Sequence, residues 1–554
     1  MAWLRYSAGA AGDMTTTSTT TFSIVVRRSI ILPIMPRSST PLLSPIAFVL
    51  LLVAPAQAQT YQLLIGGTDM DGALATARTA DGGYALAGFT RSFGLPGEEA
   101  YLVKTNAMGN VVWSRVYSAA GDDRFMGIAP ASDGGMLLCG STTSFSNTDI
   151  LLIRTDANGD TLWCRTVGDA ANNAAYAAVQ ADDGGFLVCG ASAAIAGNGS
   201  DLYLLRTDAS GDTLWTRCFG GMYGDWANAV RKTPDGDYLI AGSTSTFGVG
   251  QEDCYLLKVD DNGTLLFSRT YGGPVMDQAW ALALTADGGC IMAGSTDSFG
   301  IPTRGVYLVR TDAVGDTLWT GVYYDDNMIF GGWGYAVAEC TDGGFVVGGE
   351  SVDLKVDLNG EFVWSNTLLT STTPVHTFCE AQPDGGVLFT GYGGYVVGGL
   401  GWSDMHMVRT DATGWSGCNQ TPIPLASAHT PTVVSSPATA QLTCAMTVAP
   451  APFTVVTGAN TAVLCLALGT DGAEAEESLI AAPNPSDGVF MLRYTHGAAH
   501  AVEVHDALGA CVLRTVVPAS GRLQLDLRQM PVGLYVVTAN DGQRTLHTRV
   551  IIER

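Results

Sequence analysis

The sequence predicts an all-β protein: a seven-bladed β-propeller followed by a small C-terminal β-sandwich. An Asp-Gly-Gly turn or close variant recurs at Asp81, Asp133, Asp183, Asp235, Asp287, Asp342 and Asp384, at intervals of 52, 50, 52, 52, 55 and 42 residues. Around each turn lie short apolar or alternating runs bounded by Gly, Asp and Asn, the unit of a propeller blade. Glycine is abundant, 68 of 554 residues, as many tight turns between short strands require.

One repeat shows the plan. Ala227-Asn228-Ala229-Val230 precedes the turn and Tyr238-Leu239-Ile240-Ala241-Gly242 follows it. A Ser-Phe-Gly-type loop leads to a third run such as Tyr203-Leu204-Leu205-Arg206-Thr207, and an Asp-Ala-x-Gly turn leads to a last strand, as in Leu214-Trp215-Thr216-Arg217. The last strands carry Trp113, Trp163, Trp215, Phe267, Trp319 and Trp364, six for seven sets of inner strands. The seventh set ends at Trp415 without an outer strand, whereas Thr60-Tyr61-Gln62-Leu63-Leu64-Ile65 is an outer strand with no blade before it. The N-terminal strand is therefore expected to complete the last blade and close the ring, which leaves no open sheet edge there. One aromatic per blade at a fixed offset is what packing between blades requires. The Asp-Ala-x-Gly-x-x-x-Trp pattern resembles the tryptophan-docking repeat of quinoprotein propellers, one residue shorter between Asp and Gly. The likeness concerns blade architecture and implies no quinone cofactor.

The bulk composition, 47% hydrophobic and 14% charged, is that of a globular chain too long for one core. A net charge of −24 argues against nucleic acid, which needs clustered Lys and Arg. Arg37, the apolar stretch Ile46 to Val53 and Ala56-Gln57-Ala58 read as a signal peptide cut after Ala58. Met35 is a plausible start, since residues 1–34 fit that plan poorly. No segment reads as transmembrane. The organisation is residues 1–58 as N-terminal extension and signal peptide, 59–416 as propeller, 417–479 as a Pro/Thr/Ser-rich connecting region with short strands, and 480–554 as the C-terminal domain. In the connecting region Thr432-Val433-Val434 is echoed by Thr454-Val455-Val456, which suggests paired short strands lying against the propeller. Of 12 cysteines, Cys139 and Cys189 stand where other repeats have Ala and read as small buried residues. A disulfide is expected among Cys418, Cys444 and Cys465.

The C-terminal residues carry Pro483-Asn484-Pro485 with Gly488, Val504-His505-Asp506-Ala507-Leu508-Gly509, Leu525-Asp526-Leu527, Met530-Pro531-Val532-Gly533-Leu534-Tyr535-Val536-Val537 and the ending Arg549-Val550-Ile551-Ile552-Glu553-Arg554. In order and at the extreme end, these resemble the C-terminal sorting domain of type IX (Por) secretion cargo. Ala510 departs from the Lys or Gln frequent in that family. The resemblance implies recognition by type IX-like secretion machinery, export across the outer membrane of a Gram-negative cell, removal of the domain, and anchoring to surface polysaccharide or release.

Chemistry is sparse in the sequence. Asp71, Asp123, Asn173, Asp225 and Asp277 each lie ten residues before an Asp-Gly turn, with Gly332 and Pro374 in the last two repeats. They form a polar ring near the axis, or each ties down the turn entering its strand. Calcium is compatible with such residues but no motif supports it, and no cofactor is expected. Asp156-Ala157-Asn158-Gly159-Asp160 lacks the later glutamate of an EF-hand and reads as a hairpin turn. His376 and His406 break the repeat without forming a triad, and no GxSxG, HExxH, phosphate loop or zinc cluster is present. Tyr223, Trp226, Trp280, Phe330, Trp333, Tyr335 and Trp402 do not repeat from blade to blade. Beside acids and amides they suit stacking on sugar faces. The expected function is a non-enzymatic binding or adhesion module for a glycan or surface ligand; the alternative is a polysaccharide-active hydrolase or lyase on a propeller.

Overall fold

The structure is a computed structural model that describes residues 60–552, apart from 95, 145–146, 194–198, 326–331, 369–372, 395–402, 418, 430–432, 436–439, 443–446, 451–453, 457–459, 468–478, 483–488, 495–499, 507–510, 518–521 and 541–544. The signal peptide, Phe330, Trp402, Cys418 and Cys444 lie outside the described residues.

Seven five-stranded antiparallel sheets are built from residues 60–467. Their innermost strands are Asp71–Arg78, Asp123–Pro130, Asn173–Gln180, Asp225–Lys232, Asp277–Leu284, Gly334–Glu339 and Val375–Ala381, numbered here as sheets one to seven. Each innermost strand packs on the next in chain order, and that of sheet seven packs on that of sheet one. At this last seam Thr377 Oγ1 donates to Ala73 O at 3.0 Å and Tyr84 OH to Glu380 Oε2 at 2.7 Å. Thr60–Gly66 is the fourth strand of sheet seven, with Tyr61 opposite Arg409 and Leu64 opposite His406.

The Ala-rich innermost strands and the Gly of the second strands have one cause. The innermost strands of all seven sheets carry a bulge, for example between Ala227 and Ala229. The bulge brings a carbonyl against the neighbouring strand, so a Cβ on Gly242 would lie 1.8 Å from Trp226 O. Only glycine fits opposite it. The outer-strand aromatics pack between sheets. The Asp-Ala-x-Gly glycine of one sheet lies on the aromatic of the sheet before, as Gly211 on Trp163 and Gly263 on Trp215, at φ of 82° and 76°. Trp163, Trp215 and Trp319 donate Nε1–H to a carbonyl of that turn at 3.0–3.1 Å. In Asp156–Asp160 the Asp156 carboxylate accepts from Asn158 N and Asp160 N at 2.8 and 2.9 Å, which makes a closed hairpin turn.

Every Asp-Gly turn is pinned from the third strand of its own sheet. Lys104, Arg154, Arg206, Lys258, Arg310, Lys355 and Arg409 pair with Asp81, Asp133, Asp183, Asp235, Asp287, Asp342 and Asp384 at 2.5–2.9 Å. The cations are buried along their stems and the carboxylates remain largely exposed.

Among the described residues, the strands of the connecting region do not pair with one another. It supplies a fifth strand to each sheet in reverse order: Gln420–Pro422 to six, Ala426–His429 to five, Val433–Ser435 to four, Ala440–Leu442 to three, Thr447–Pro450 to two, Thr454–Val456 to one and Asn460–Ala467 to seven. The echoed Val-Val segments thus serve sheets four and one. Each covers an outer edge that would otherwise present unpaired backbone groups. Cys218, opposite Leu442 in sheet three, is disulfide-bonded. Cys139 and Cys189 are buried free thiols, and burial pushes Cys189 up to about 12.

The C-terminal residues form a three-stranded sheet (Leu479–Ala482, Val489–Tyr494, Arg522–Asp526) and a four-stranded sheet (His500–His505, Cys511–Val517, Gly533–Asn540, Thr545–Ile552). Phe490, Leu492, Val502, Val504, Leu525 and Tyr535 are among their shared core. Leu525-Asp526-Leu527 alternates as a half-buried strand should, with both leucines inward and Asp526 outward.

Candidate functional site

The acids that begin the innermost strands hold turns. Asp71 Oδ2 accepts from Gly67 N and Ser92 Oγ, both at 2.7 Å; Asp225 Oδ2 from Gly221 N at 3.1 Å and Thr246 Oγ1 at 2.9 Å; Asp277 Oδ2 from Gly273 N at 2.7 Å and Ser298 Oγ at 2.8 Å. Asp123 likewise accepts from Ala119 N at 3.1 Å and Ser144 Oγ at 3.2 Å, and Asn173 Nδ2 donates to Asp169 Oδ1 at 3.1 Å. In sheets one, two, four and five these bonds tie the loop entering the innermost strand to the Ser-Phe-Gly-type loop, so the two loop sets meet on one side. The loop phenylalanines are structural: Phe93, Phe247 and Phe299 pack on Tyr101, Tyr255 and Tyr307 with ring centroids 5.6–5.9 Å apart.

Several of the singled-out aromatics gather where sheets five and six meet. Trp280 and Tyr335 occupy equivalent places on neighbouring innermost strands, edge to face at 5.5 Å. Trp333 lies beneath the Arg304 guanidinium, 4.5 Å from its centroid, while Arg304 Nε donates to Asp297 at 2.8 Å. Gln278 Nε2 donates to Glu252 Oε1 at 2.9 Å on the same rim. Burial, then Glu350 and Tyr392, push the Tyr335 hydroxyl up, and Arg304 opposes them. Burial also raises the Glu252 and Glu350 carboxyls. Trp280, Trp333 and Tyr335 are half-buried, so each keeps part of its surface for a partner. Trp226 is half-buried farther along the rim in sheet four, and Tyr223 is 54% exposed beside exposed Met222.

Sequence reasoning missed Glu350, and it missed Arg304 and Glu252, which share one repeat position directly before the third strand. It also left unremarked the acids that begin the third strands of six sheets, although in sheets one to four and seven they stand seven residues before the next turn. His376 and His406 are not separate. His376 Nδ1 lies 2.6 Å from Asp353 Oδ1, its ring is edge to face with His406 at 4.6 Å, and all three residues are buried. Burial and the neighbouring histidine hold His406 well below its usual pKa. In the C-terminal sheets Glu503, His505 and Cys511 offer three ligand atoms within 4.8 Å of one another, a grouping absent from the sequence reading. Glu503 is already paired with Arg514 at 3.0 Å.

No curated protein shows significant similarity to the chain. Among solved structures it resembles a protein of unknown function from Bacteroides caccae, at 15% identity over 56% of this chain and 93% of that one, with a TM-score of 0.31. Sqt1 from Chaetomium thermophilum gives 10% identity over 60% and 82%, with a TM-score of 0.37. The periplasmic gluconolactonase PpgL of Pseudomonas aeruginosa gives 12% over 66% and 99%, with a TM-score of 0.29. Values this low carry no functional argument. The C-terminal match is of another kind: residues 481–553 fit the family described as Secretion system C-terminal sorting domain. The chain thus ends in a type IX sorting domain, the mark of a secreted or cell-surface protein.

Proposed function

We propose that the chain is a non-enzymatic binding module, carried outside the cell by its type IX sorting domain, and that it takes a glycan or similar polar surface ligand at the rim of sheets four to six. The observation that carries this reading is Trp333 beneath Arg304, next to the Trp280–Tyr335 pair. Half-buried rings beside a cation, carboxylates and an amide match a sugar, which offers an apolar face and a fringe of hydroxyls. Trp280 and Tyr335 share one repeat position and Trp226 and Trp333 another, but the other sheets carry different residues at most of these places, so the packing of seven similar sheets does not require a ring there.

A glycan array probed with the full chain tests the reading, followed by Trp333→Ala and Trp280→Ala on any hit. Binding lost at least tenfold in folded variants is the expected result. No hit, or affinity unchanged in both variants, overturns it. An activity screen on the bound glycan separates this reading from a polysaccharide hydrolase or lyase.

A further inference from the structure

The junctions between neighbouring sheets repeat one geometry. The third strands of sheets three, four and seven begin with Asp201, Asp253 and Asp404. Each carboxylate reaches the glycine that ends the adjoining outer strand, and the acid opening the next sheet reaches it from the other side. A Cβ on Gly220 would lie 2.1 Å from Asp201 Oδ1 and 2.7 Å from Asp225 Oδ2. On Gly272 it would lie 2.1 Å from Asp253 Oδ1 and 2.8 Å from Asp277 Oδ2, and on Gly66 2.4 Å from Asp404 Oδ1 and 2.7 Å from Asp71 Oδ2. The two carboxylates of each pair are therefore close neighbours across a strand that has no side chain at that point.

Asp201 and Asp253 are 2% and 1% exposed, and their Oδ1 atoms have no hydrogen-bond partner among the described residues. None of Asp201, Asp225, Asp253 and Asp277 forms an ion pair with Lys or Arg among the described residues. The aspartates of the seven Asp-Gly turns all do. Two carboxylates buried side by side repel and lose hydration, so each pair needs an occupant of opposite charge. Two other junctions vary as a shared occupant requires. Where Gly305 begins the third strand, Gly332 is its direct neighbour and both acids are gone. Where Asp353 begins it, the partner is His376 instead of a second acid.

We propose that the Asp201/Asp225 and Asp253/Asp277 junctions each bind a calcium ion. The side-chain ligands are oxygens only, which selects a hard cation over zinc or copper. Calcium accepts irregular coordination completed by carbonyls and water, whereas magnesium demands a near-ideal octahedron. The test uses the full chain, stripped with EDTA and titrated with calcium chloride by calorimetry and thermal melting. Saturable uptake of at least two ions with a rise in Tm is expected, with one ion lost in Asp201→Asn and another in Asp253→Asn. No uptake overturns the proposal, and so does uptake unchanged in the double variant, which would place the ions elsewhere. A Tm that climbs between pH 7 and 5 and ignores calcium also overturns it, because a proton is then the occupant. If the variants do not fold, metal analysis of the dialysed wild-type chain decides: fewer than two bound ions refutes the proposal.

Discussion

Arg206 ties two sheets together, and its removal has a calculable cost. The side chain is about 1% exposed; Nη2 lies 2.9 Å from Asp183 Oδ1 in its own sheet, and Nε lies 3.2 Å from Asp261 Oδ1 in the next. Tyr238 OH donates to the same Asp261 oxygen at 2.9 Å. Arg206→Met keeps the aliphatic volume and removes both charged contacts. Hydrogen bonds to charged groups contribute roughly 1.5–3 kcal/mol each. Asp183 and Asp261 are 50% and 59% exposed, so water replaces much of what they lose. The net cost is then about 2 kcal/mol, or a fall in Tm of roughly 2–3 °C for a cooperative unit of about 400 residues. Arg78→Met is the control: its pair with Glu380 spans 3.5 Å with the arginine 49% exposed, and about 0.5 kcal/mol is expected. Arg206→Lys, which lacks the fork needed to reach both acids, should fall between parent and methionine variant. Differential scanning calorimetry reads all three. An Arg206→Met melt no lower than that of Arg78→Met would show that the clamp contributes nothing, and the reasoning would fail.

Three further outcomes are expected. Non-reducing peptide mapping should link Cys218 to Cys444, because Leu442 lies opposite Cys218 and Cys444 follows two residues later; an alkylatable Cys218 or a link to another cysteine contradicts the register argument. In chelator, Tm should rise as pH falls from 7 to about 4.5: burial pushes the Asp201 and Asp253 carboxyls up to about 6, so the folded chain binds more protons than the unfolded one in that window. Below about pH 4 the sign reverses, since bonds to Lys258 and Arg310 hold Asp235 and Asp287 down to about 2 and that stability disappears on protonation; a flat profile from pH 2 to 8 sinks both parts. Finally, Gly211→Ala should destabilise by about 1–3 kcal/mol, read by thermal melting, because φ is 82° and the new methyl meets Trp163 at 2.9 Å; an unchanged melt argues against the inter-sheet packing described.

By itself the sequence determined what is local and repeated. Asp-Gly turns, alternating runs and one aromatic per repeat are signals a few residues long, and each repeat restates them, so the four-stranded unit and the outer strand missing after Trp415 were legible. The C-terminal motif was legible because its residues occur in fixed order in one stretch. Only the tertiary structure decided what depends on residues far apart in the chain. Three-residue strands such as Val433–Ser435 carry no periodicity, and their place on sheet four is set by an outer edge about 160 residues earlier. Asp201 is an unremarkable strand residue until the sheets pack and bring Asp225 across Gly220. Arg304 and Trp333 likewise meet only because sheets five and six are neighbours. Local propensity specifies the blade, but a contact between blades exists only after burial has ordered them, so the chemistry that lives at the junctions could not be read one repeat at a time.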